Sequence, residues 1–280
     1  MSFKCGKVVF LGEMNVGKSS LINAMVGESL SIVSDMPGTT RGEIRGYVTR
    51  DDYQIIFLDV PGMQKVRNSL DKVMTKSISH AVAAADVICY VLDSTNVQPE
   101  HLKKLKNYEN SGKPLLVVLN KTDKRMQVVP YAIPVSAKTG KNLDVLEREI
   151  ANVLPVAPKM FDADEFTNQP IKEMTREIIR GELIKNLDRD VPHGVAVDIK
   201  KWEECDERIE INAEIFCIKP SHKPIIIGKR GEVLKRVGVQ SRKQIQSLTD
   251  KHVRLYTHVI VREDWKNSKE KLEQLGYTLD

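Results

Sequence analysis

Eight consecutive residues, Gly12-Glu13-Met14-Asn15-Val16-Gly17-Lys18-Ser19, restrict what this chain can fold into more than any other feature. They fit the pattern G-x-x-x-x-G-K-[ST], in which glycine-rich backbone cradles phosphates, a lysine meets their charge and a hydroxyl binds magnesium. Such a loop works only between a buried strand and the start of a helix. The apolar run Val8-Val9-Phe10-Leu11 supplies the strand, and Ser19-Ser20-Leu21-Ile22-Asn23-Ala24-Met25 can form an amphipathic helix. A strand–loop–helix unit that binds a nucleotide phosphate through residues Gly12 to Ser20 is therefore expected.

From Lys7 to about Leu154 apolar runs alternate with longer helical stretches, the pattern of a parallel α/β sheet. Strands are expected at Val8 to Leu11, Gln54 to Leu58, Val87 to Leu92, Leu115 to Leu119 and Ala132 to Val135, with Ile44 to Arg50 as an edge strand. Pro155, Pro158 and Pro170 then flank an acidic stretch without periodicity, as in a linker. The expected organisation is a first domain over 1–157, a linker over 158–170 and a smaller α+β domain over 171–280. In the second half Pro170 opens a helix, two strands cover Gly194 to Trp202 and Arg208 to Cys217, and a short helix contains Pro224 to Ile227. A long helix to about Leu248, a strand from Val253 to Val261 and a helix from Asp264 to Leu275 follow, giving the order α-β-β-α-α-β-α.

At 280 residues, 41% of them apolar, the chain can bury two modest cores. The net charge of +5 hides a segregation: between Lys219 and Arg262 stand eleven Lys/Arg against only Glu232 and Asp250. Such an excess suits a polyanion such as nucleic acid, and also permits peripheral contact with the inner membrane. Cys5, Cys89, Cys205 and Cys217 are widely spaced, so neither a zinc site nor a disulfide framework is expected, and a reducing cytoplasm fits best. No apolar run approaches the roughly 18 residues that span a bilayer. Trp202 and Trp265 each stand at an element end, where a core role is expected over base stacking, and His222, His252 and His258 lack ligand spacing.

Hydrolysis of a nucleotide needs a magnesium sensor for the terminal phosphate, a base-reading pocket and a means of positioning water. Asp59-Val60-Pro61-Gly62 ends a strand, so the Asp59 carboxylate should reach magnesium, through water, while the Gly62 amide meets the γ-phosphate. Asn120-Lys121-Thr122-Asp123 ends another strand, where the ligand crevice of an open α/β sheet lies. A carboxylate at Asp123 matches guanine's N1 and N2 donors, whereas adenine presents none there. Ser136-Ala137-Lys138, at the next strand end, would add a backbone donor to the guanine oxygen. Thr39 and Thr40 lie in a small, polar segment suited to moving with phosphate state; Thr40 is expected to complete a magnesium set with Ser19 and Asp59, and Thr39 is the alternative. Met63 stands directly after Gly62, where a thioether cannot orient water.

With these motifs in this order, the sequence resembles the translation-factor-related GTPases and, more closely, the Era-type group. The likeness rests on the Asn-Val-Gly-Lys-Ser core, Gly38-Thr39-Thr40-Arg41, Asp-Val-Pro-Gly, Asn-Lys-Thr-Asp and Ser-Ala-Lys. It implies a P-loop GTPase domain with a mixed, mostly parallel sheet, using GTP or GDP with magnesium, in which Lys18, Thr40, Gly62 and Asn15 serve catalysis. Met63 accords with the slow intrinsic hydrolysis such proteins show, and Asn15 resembles the asparagine through which some relatives bind potassium. Two departures stand out. Glu13 puts a negative charge beside the phosphates, and only Lys124 to Tyr131 separate the base motif from the next strand, short for a helical crossover.

Ile226-Ile227-Gly228-Lys229-Arg230-Gly231 resembles the K-homology signature, in which a G-x-x-G loop between two helices clamps a single-stranded backbone. Ile227, Gly228, Lys229, Arg230 and Gly231, with Lys235, Arg236 and Arg242 on the following helix, are the expected RNA-binding residues. Bases would lie near Ile226, Ile227 and Val237, and the element order is that of a type II K-homology domain. Together the resemblances imply a monomeric, nucleotide-controlled assembly factor that binds 16S ribosomal RNA near its 3′ end and the 30S subunit. A related GTPase acting on tRNA or the large subunit, and an RNA-binding module with a structural, barely hydrolysed nucleotide, are the alternatives.

Overall fold

The computed structural model of the protein describes residues 2–28, 30–32, 39–41, 43–124 and 127–277. Two compact units divide the chain, the first running to Asn168 and the second starting at Gln169.

In the first unit β1 (Lys4–Leu11), α1 (Lys18–Val26), β2 (Ile44–Thr49), β3 (Tyr53–Asp59), α2 (Ser69–Ala84), β4 (Val87–Asp93), α3 (Pro99–Glu109), β5 (Leu115–Asn120), β6 (Ile133–Pro134) and α4 (Leu143–Val153) follow in sequence. The sheet order is β2-β3-β1-β4-β5-β6. β2 pairs antiparallel with β3, and the other neighbours are parallel. Both faces are covered, which is why the central strands read as unbroken apolar runs. Along β1, Val8 and Phe10 enter one core with Leu21, Ile22 and Ile150, while Val9 and Leu11 enter the other with Ile88, Tyr90 and Leu105. That alternation is the period of two inherent in a strand. Each such aliphatic side chain, fully buried, contributes roughly 1.5–3 kcal/mol.

Lys18, Leu21, Ile22 and Met25 are the buried positions of α1, at helical spacing. The helix stops at Gly27, whose left-handed backbone (φ 85°) lets its N–H return to Asn23 O. Between β5 and β6 no helix occurs among the described residues, as the eight-residue spacing requires, and β6 has only two residues. Part of the stretch expected as a linker, around Met160 and Phe161, lies along the β2–β3 edge. Gln54, fully buried, accepts from the Met160 and Phe161 amides and donates to Phe161 O, and Tyr47 stacks on Phe161 with ring centroids 3.9 Å apart.

The second unit contains α5 (Ile171–Asn186), β7 (Ala196–Glu204), β8 (Arg208–Cys217), α6 (His222–Ile227), α7 (Glu232–Thr249), β9 (His252–Val261) and α8 (Lys269–Gln274). Its sheet runs β7-β8-β9, antiparallel then parallel. Ile179 and Leu183 of α5 and Val237 of α7 pack on Val197, Ile215 and Val259 of the sheet. The last helix is shorter than expected: turns occupy Asp264 to Asn267, and Ser268 caps α8 by accepting from the Lys271 amide. Trp265 is a core residue, fully buried with its indole N–H on Gly194 O at 3.0 Å. No helix among the described residues is long and apolar enough to cross a membrane.

Candidate functional site

The phosphate loop leaves β1 at Gly12 and enters α1 at Lys18, between strand ends that carry the other motifs. Gly17 has φ 93°, and a side chain there would drive into the Asn120 amide, so the loop and the base motif are packed backbone to side chain. Asn120 ties them further: its Nδ2 donates to Val16 O at 2.9 Å and its Oδ1 accepts from the Ala137 amide at 3.1 Å. Lys121 donates to Asn15 O at 2.6 Å and pairs with Asp93 at 2.7 Å. Burial alone would raise the Asp93 carboxyl, yet the Lys121 and Thr95 hydrogen bonds and the Lys121 charge bring it below its ordinary value.

Lys18 is fully enclosed, with its ammonium on Gly12 O at 3.2 Å and Glu13 O at 2.9 Å. Burial pulls its pKa down to about 8, against the opposing pull of Asp59 and Glu13. Its cation thus lies over the phosphate-binding backbone with no carboxylate of the described residues in direct contact. Ser19 donates to Asp59 Oδ2 at 2.6 Å, and the Thr40 hydroxyl lies 3.0 Å from Ser19 Oγ. The three expected magnesium residues therefore meet at one point. Burial pushes the Asp59 carboxyl up, and the neighbouring hydroxyls and Lys18 oppose that. Two hydroxyls and one carboxylate form the hard-oxygen set magnesium prefers, and Asp59 Oδ1, buried without a hydrogen-bond partner, is the kind of orphaned acceptor a cation or its water satisfies. The residues present fit that ion.

Gly62 packs so closely on Met14 that a Cβ would sit 2.8 Å from Met14 Cα, and the Met63 amide donates to Gly12 O at 3.1 Å. Val60 and Pro61 are buried behind them. Thr39, Thr40 and Arg41 are described, whereas Gly38, the first residue of that motif, lies outside the described residues.

A cleft of about 600 Å³ opens beside this loop, lined by Gly17, Ser20, Asn23, Ala24, Gly27, Glu28, Asn120, Lys121, Asp123, Lys124, Ala137 and Lys138. Ser136 donates to Asp123 Oδ1 at 2.6 Å, and this bond is the main reason the Asp123 carboxyl lies below its ordinary value. A carboxylate kept ionised at the mouth of the cleft accepts from paired N–H donors. Thr122 anchors the turn by donating to Val135 O at 2.8 Å. Glu13, which looked like a charge turned on the phosphates, forms an ion pair with Lys104 of α3. Ser94, which donates to Lys121 O at 2.9 Å, and Asp93, Asn23 and Lys104 were not legible as site residues, because each acts across a sequence separation that no local pattern marks.

Gly228 to Gly231 form the turn between α6 and α7. Gly228 has φ 78°, and a Cβ there would come within 2.5 Å of Val233, so the position accepts no side chain. Arg230 is itself left-handed (φ 51°) and exposed beside exposed Lys229. Lys235, Arg236, Arg242 and Lys243 are exposed on α7, and Arg236 reaches Asn186 Oδ1 at 3.3 Å. Not one of Lys219, Lys223, Lys229, Arg230, Lys235, Arg236, Arg242 and Lys243 has an acidic partner among the described residues. The sheet face is different: Lys200, Lys201 and Lys251 pair with Asp198, Glu203 and Glu204. Ile226 and Val237, expected near the bases, are fully buried core residues; Ile225 is the exposed apolar side chain of α6, and Ile227 is half-buried.

Comparison with known proteins agrees with this geometry. Over nearly its whole length the chain is similar to GTPase Era of Alkaliphilus oremlandii, with 38% identity covering 99% of this chain and 100% of the relative, and to that of Alkaliphilus metalliredigens, with 36% identity and the same coverage. The chain belongs to the Era family of GTPases. It is a GTP hydrolase with a P-loop domain followed by a K-homology domain. Residues 7–121 match the family described as 50S ribosome-binding GTPase, and residues 190–266 match the KH domain. Two solved Era structures superpose at a TM-score of 0.94, with 32% identity, 99% of this chain and 100% of theirs covered. One is a variant of Aquifex aeolicus Era bound to GDP·AlF4−. The other is Era in complex with MgGDPNP and nucleotides 1506–1542 of 16S ribosomal RNA.

Proposed function

We propose that this protein is a nucleotide-controlled assembly factor of the small ribosomal subunit, whose second domain grips the 3′ region of 16S ribosomal RNA. The observation that carries the reading is the set of basic side chains around Gly228 to Gly231 that face solvent with no acid opposite, joined to a guanine-nucleotide site in a family whose member has been solved with that RNA. Phosphates attract such charge, and the left-handed turn lets their backbone approach closely.

In the nucleotide site we assign Asp123 to guanine, Asn120 and Lys121 to bracing the base loop against the phosphate loop, and the Gly12 to Ser20 backbone to the phosphates. Ser19, Thr40 and Asp59 would hold magnesium, which when bound neutralises charge between the outer phosphates. Water attacks the γ-phosphorus, the bond to the bridging oxygen breaks, and the water proton leaves with phosphate. Lys18, lifted from the Gly12 and Glu13 carbonyls onto the phosphate oxygens, offsets the charge that accumulates on the leaving oxygen, and the Gly62 amide holds the γ-phosphate. Met63 cannot orient the water, so slow intrinsic turnover is expected; Asn15 would hold a potassium ion whose charge, with the bound partner, would assist it. Equal turnover in sodium and potassium overturns the ion's part. The coupling is tested by measuring affinity for a 3′-end 16S fragment with GTP analogue and with GDP. Tighter binding with the analogue is expected, and equal affinity overturns nucleotide control.

A further inference from the structure

Between Val60 and Ala85, the stretch that runs past Gly62 and through α2, the charged residues are Lys65, Arg67, Asp71, Lys72 and Lys76. The lone acid is turned inward. Asp71 is 9% exposed and accepts from the Gln64 side-chain amide at 3.0 Å through Oδ1 and from the Arg67 backbone amide at 2.9 Å through Oδ2. Lys65, Arg67, Lys72 and Lys76 are all exposed, and none has an acidic partner among the described residues.

Helical periodicity sorts the rest. Met74, Ser77 and Ala81 of α2 are buried, whereas Lys72, Lys76 and His80 stand on the opposite face, with the polar Thr75 and Ser79 between them. Lys72 and Lys76 lie one turn apart, about 6 Å along the axis, where like charges repel and the free helix is weakened. The negative end of the helix does not offset them, since Lys113 Nζ donates to Val82 O and Ala83 O, both at 2.7 Å. A merely solvated helix face mixes signs, as the neighbouring helices do: Lys104 of α3 pairs with Glu13, and Arg148 of α4 with Asp144.

We infer that this face of the first unit is a second RNA-binding surface, and that its ligand is the sugar-phosphate backbone of double-helical RNA. No Phe, Tyr or Trp occurs between Val60 and Ala85, so the face offers cations to phosphates and no such ring on which an unpaired base stacks. Charge presented along a regular helix suits a backbone read by shape and potential, as duplex RNA is. That the nucleic acid is RNA rests on the ribosomal reading above. The surface goes beyond that reading, because it gives the GTPase unit its own hold on folded RNA, on the stretch that begins at Gly62, separate from the single strand assigned to the Gly228 to Gly231 turn.

The test measures binding of the full-length protein, over a range of salt, to a blunt RNA duplex of about 20 base pairs, which offers the basic turn no single strand, and to a single-stranded 3′-end 16S fragment. Lys72→Gln/Lys76→Gln removes two exposed charges from α2, and Lys103→Gln/Lys106→Gln removes two from α3 as a control for net charge. The α2 variant should bind the duplex about five- to tenfold less tightly, with a salt slope shallower by about two. It should keep wild-type affinity for the single strand and wild-type GTP hydrolysis without RNA, and the α3 variant should match wild type on both RNAs. Equal losses on the duplex from the two variants overturn the inference, as does duplex binding by the α2 variant as tight as that of wild type. Weaker binding of the α2 variant to 30S subunits with duplex binding intact also overturns it and assigns the face to a protein. If wild type fails to bind the single strand, the K-homology reading falls instead, and the duplex result still decides this inference.

Discussion

Lys18 and Lys121 in the first unit are held by the protein's own carbonyls and carboxylates, whereas Lys229, Arg230 and Lys235 in the second reach solvent with no acidic partner among the described residues. The nucleotide site spends buried polar groups on fixing geometry, and specificity there comes from where each atom sits. The basic face fixes little beyond one turn and presents electrostatic potential. One site can be damaged by moving a single atom; the other loses affinity in small, additive steps as charges are removed.

Lys18→Ala should show the largest effect, at least about 100-fold in GTP affinity or turnover, since one group supplies the buried positive charge. RNA affinity without nucleotide should hold, and titration of both ligands checks it. The same residue predicts a pH dependence. Burial lowers Lys18 from 10.5 to about 8, so the nucleotide-free protein loses this proton above about pH 8, while bound phosphate favours its return. GDP affinity should be level below pH 8 and fall by up to about tenfold per unit above it, a break that Lys18→Ala removes. By the same sign, this group's contribution to the stability of the nucleotide-free fold is present above pH 10.5 and lost as pH falls through 8.

Gly231→Asp is expected next, with RNA affinity down about tenfold or more and GTP hydrolysis in the absence of RNA unchanged, because a negative charge enters the phosphate path. An equal loss in both activities would collapse the distinction between the two sites. Lys235→Ala and Arg242→Ala should each cost only a few-fold in RNA affinity and reduce the salt slope of binding by about one. A slope that stays put would mean that α7 does not meet phosphate. Lys104→Ala should have the smallest effect, a two- to threefold weakening of GTP binding at low salt that Glu13→Ala cancels, as befits a partly exposed pair.

What could be read from sequence follows the same division. Gly12 to Ser19, Asp59 to Gly62 and Asn120 to Asp123 are contiguous, and each stands at a strand end, so order and spacing exposed them. Residues that hold those motifs in place were hidden: Asp93 acts on Lys121 and Lys104 on Glu13 through contacts made only once the chain is folded. α6 has six residues, too few for a period to appear, and so the buried Ile226 and exposed Ile225 could not be told apart. The start of the last helix was overdrawn: Asp264 is left-handed (φ 54°), residues 264–267 form turns, and α8 begins only after its cap, Ser268.

The segment pinned by Gln54 has a further consequence. β2 is the outermost strand of the first sheet, and a bare strand edge is a template on which other chains can add. Phe166 O accepts from the Tyr47 amide and Thr167 Oγ1 donates to Arg45 O, so residues after the last helix of this unit occupy that edge. The connecting peptide thereby acts as a solubility guard: a GTPase domain cut at Ala157 would expose the edge and self-associate, while one cut at Asn168 would keep it covered.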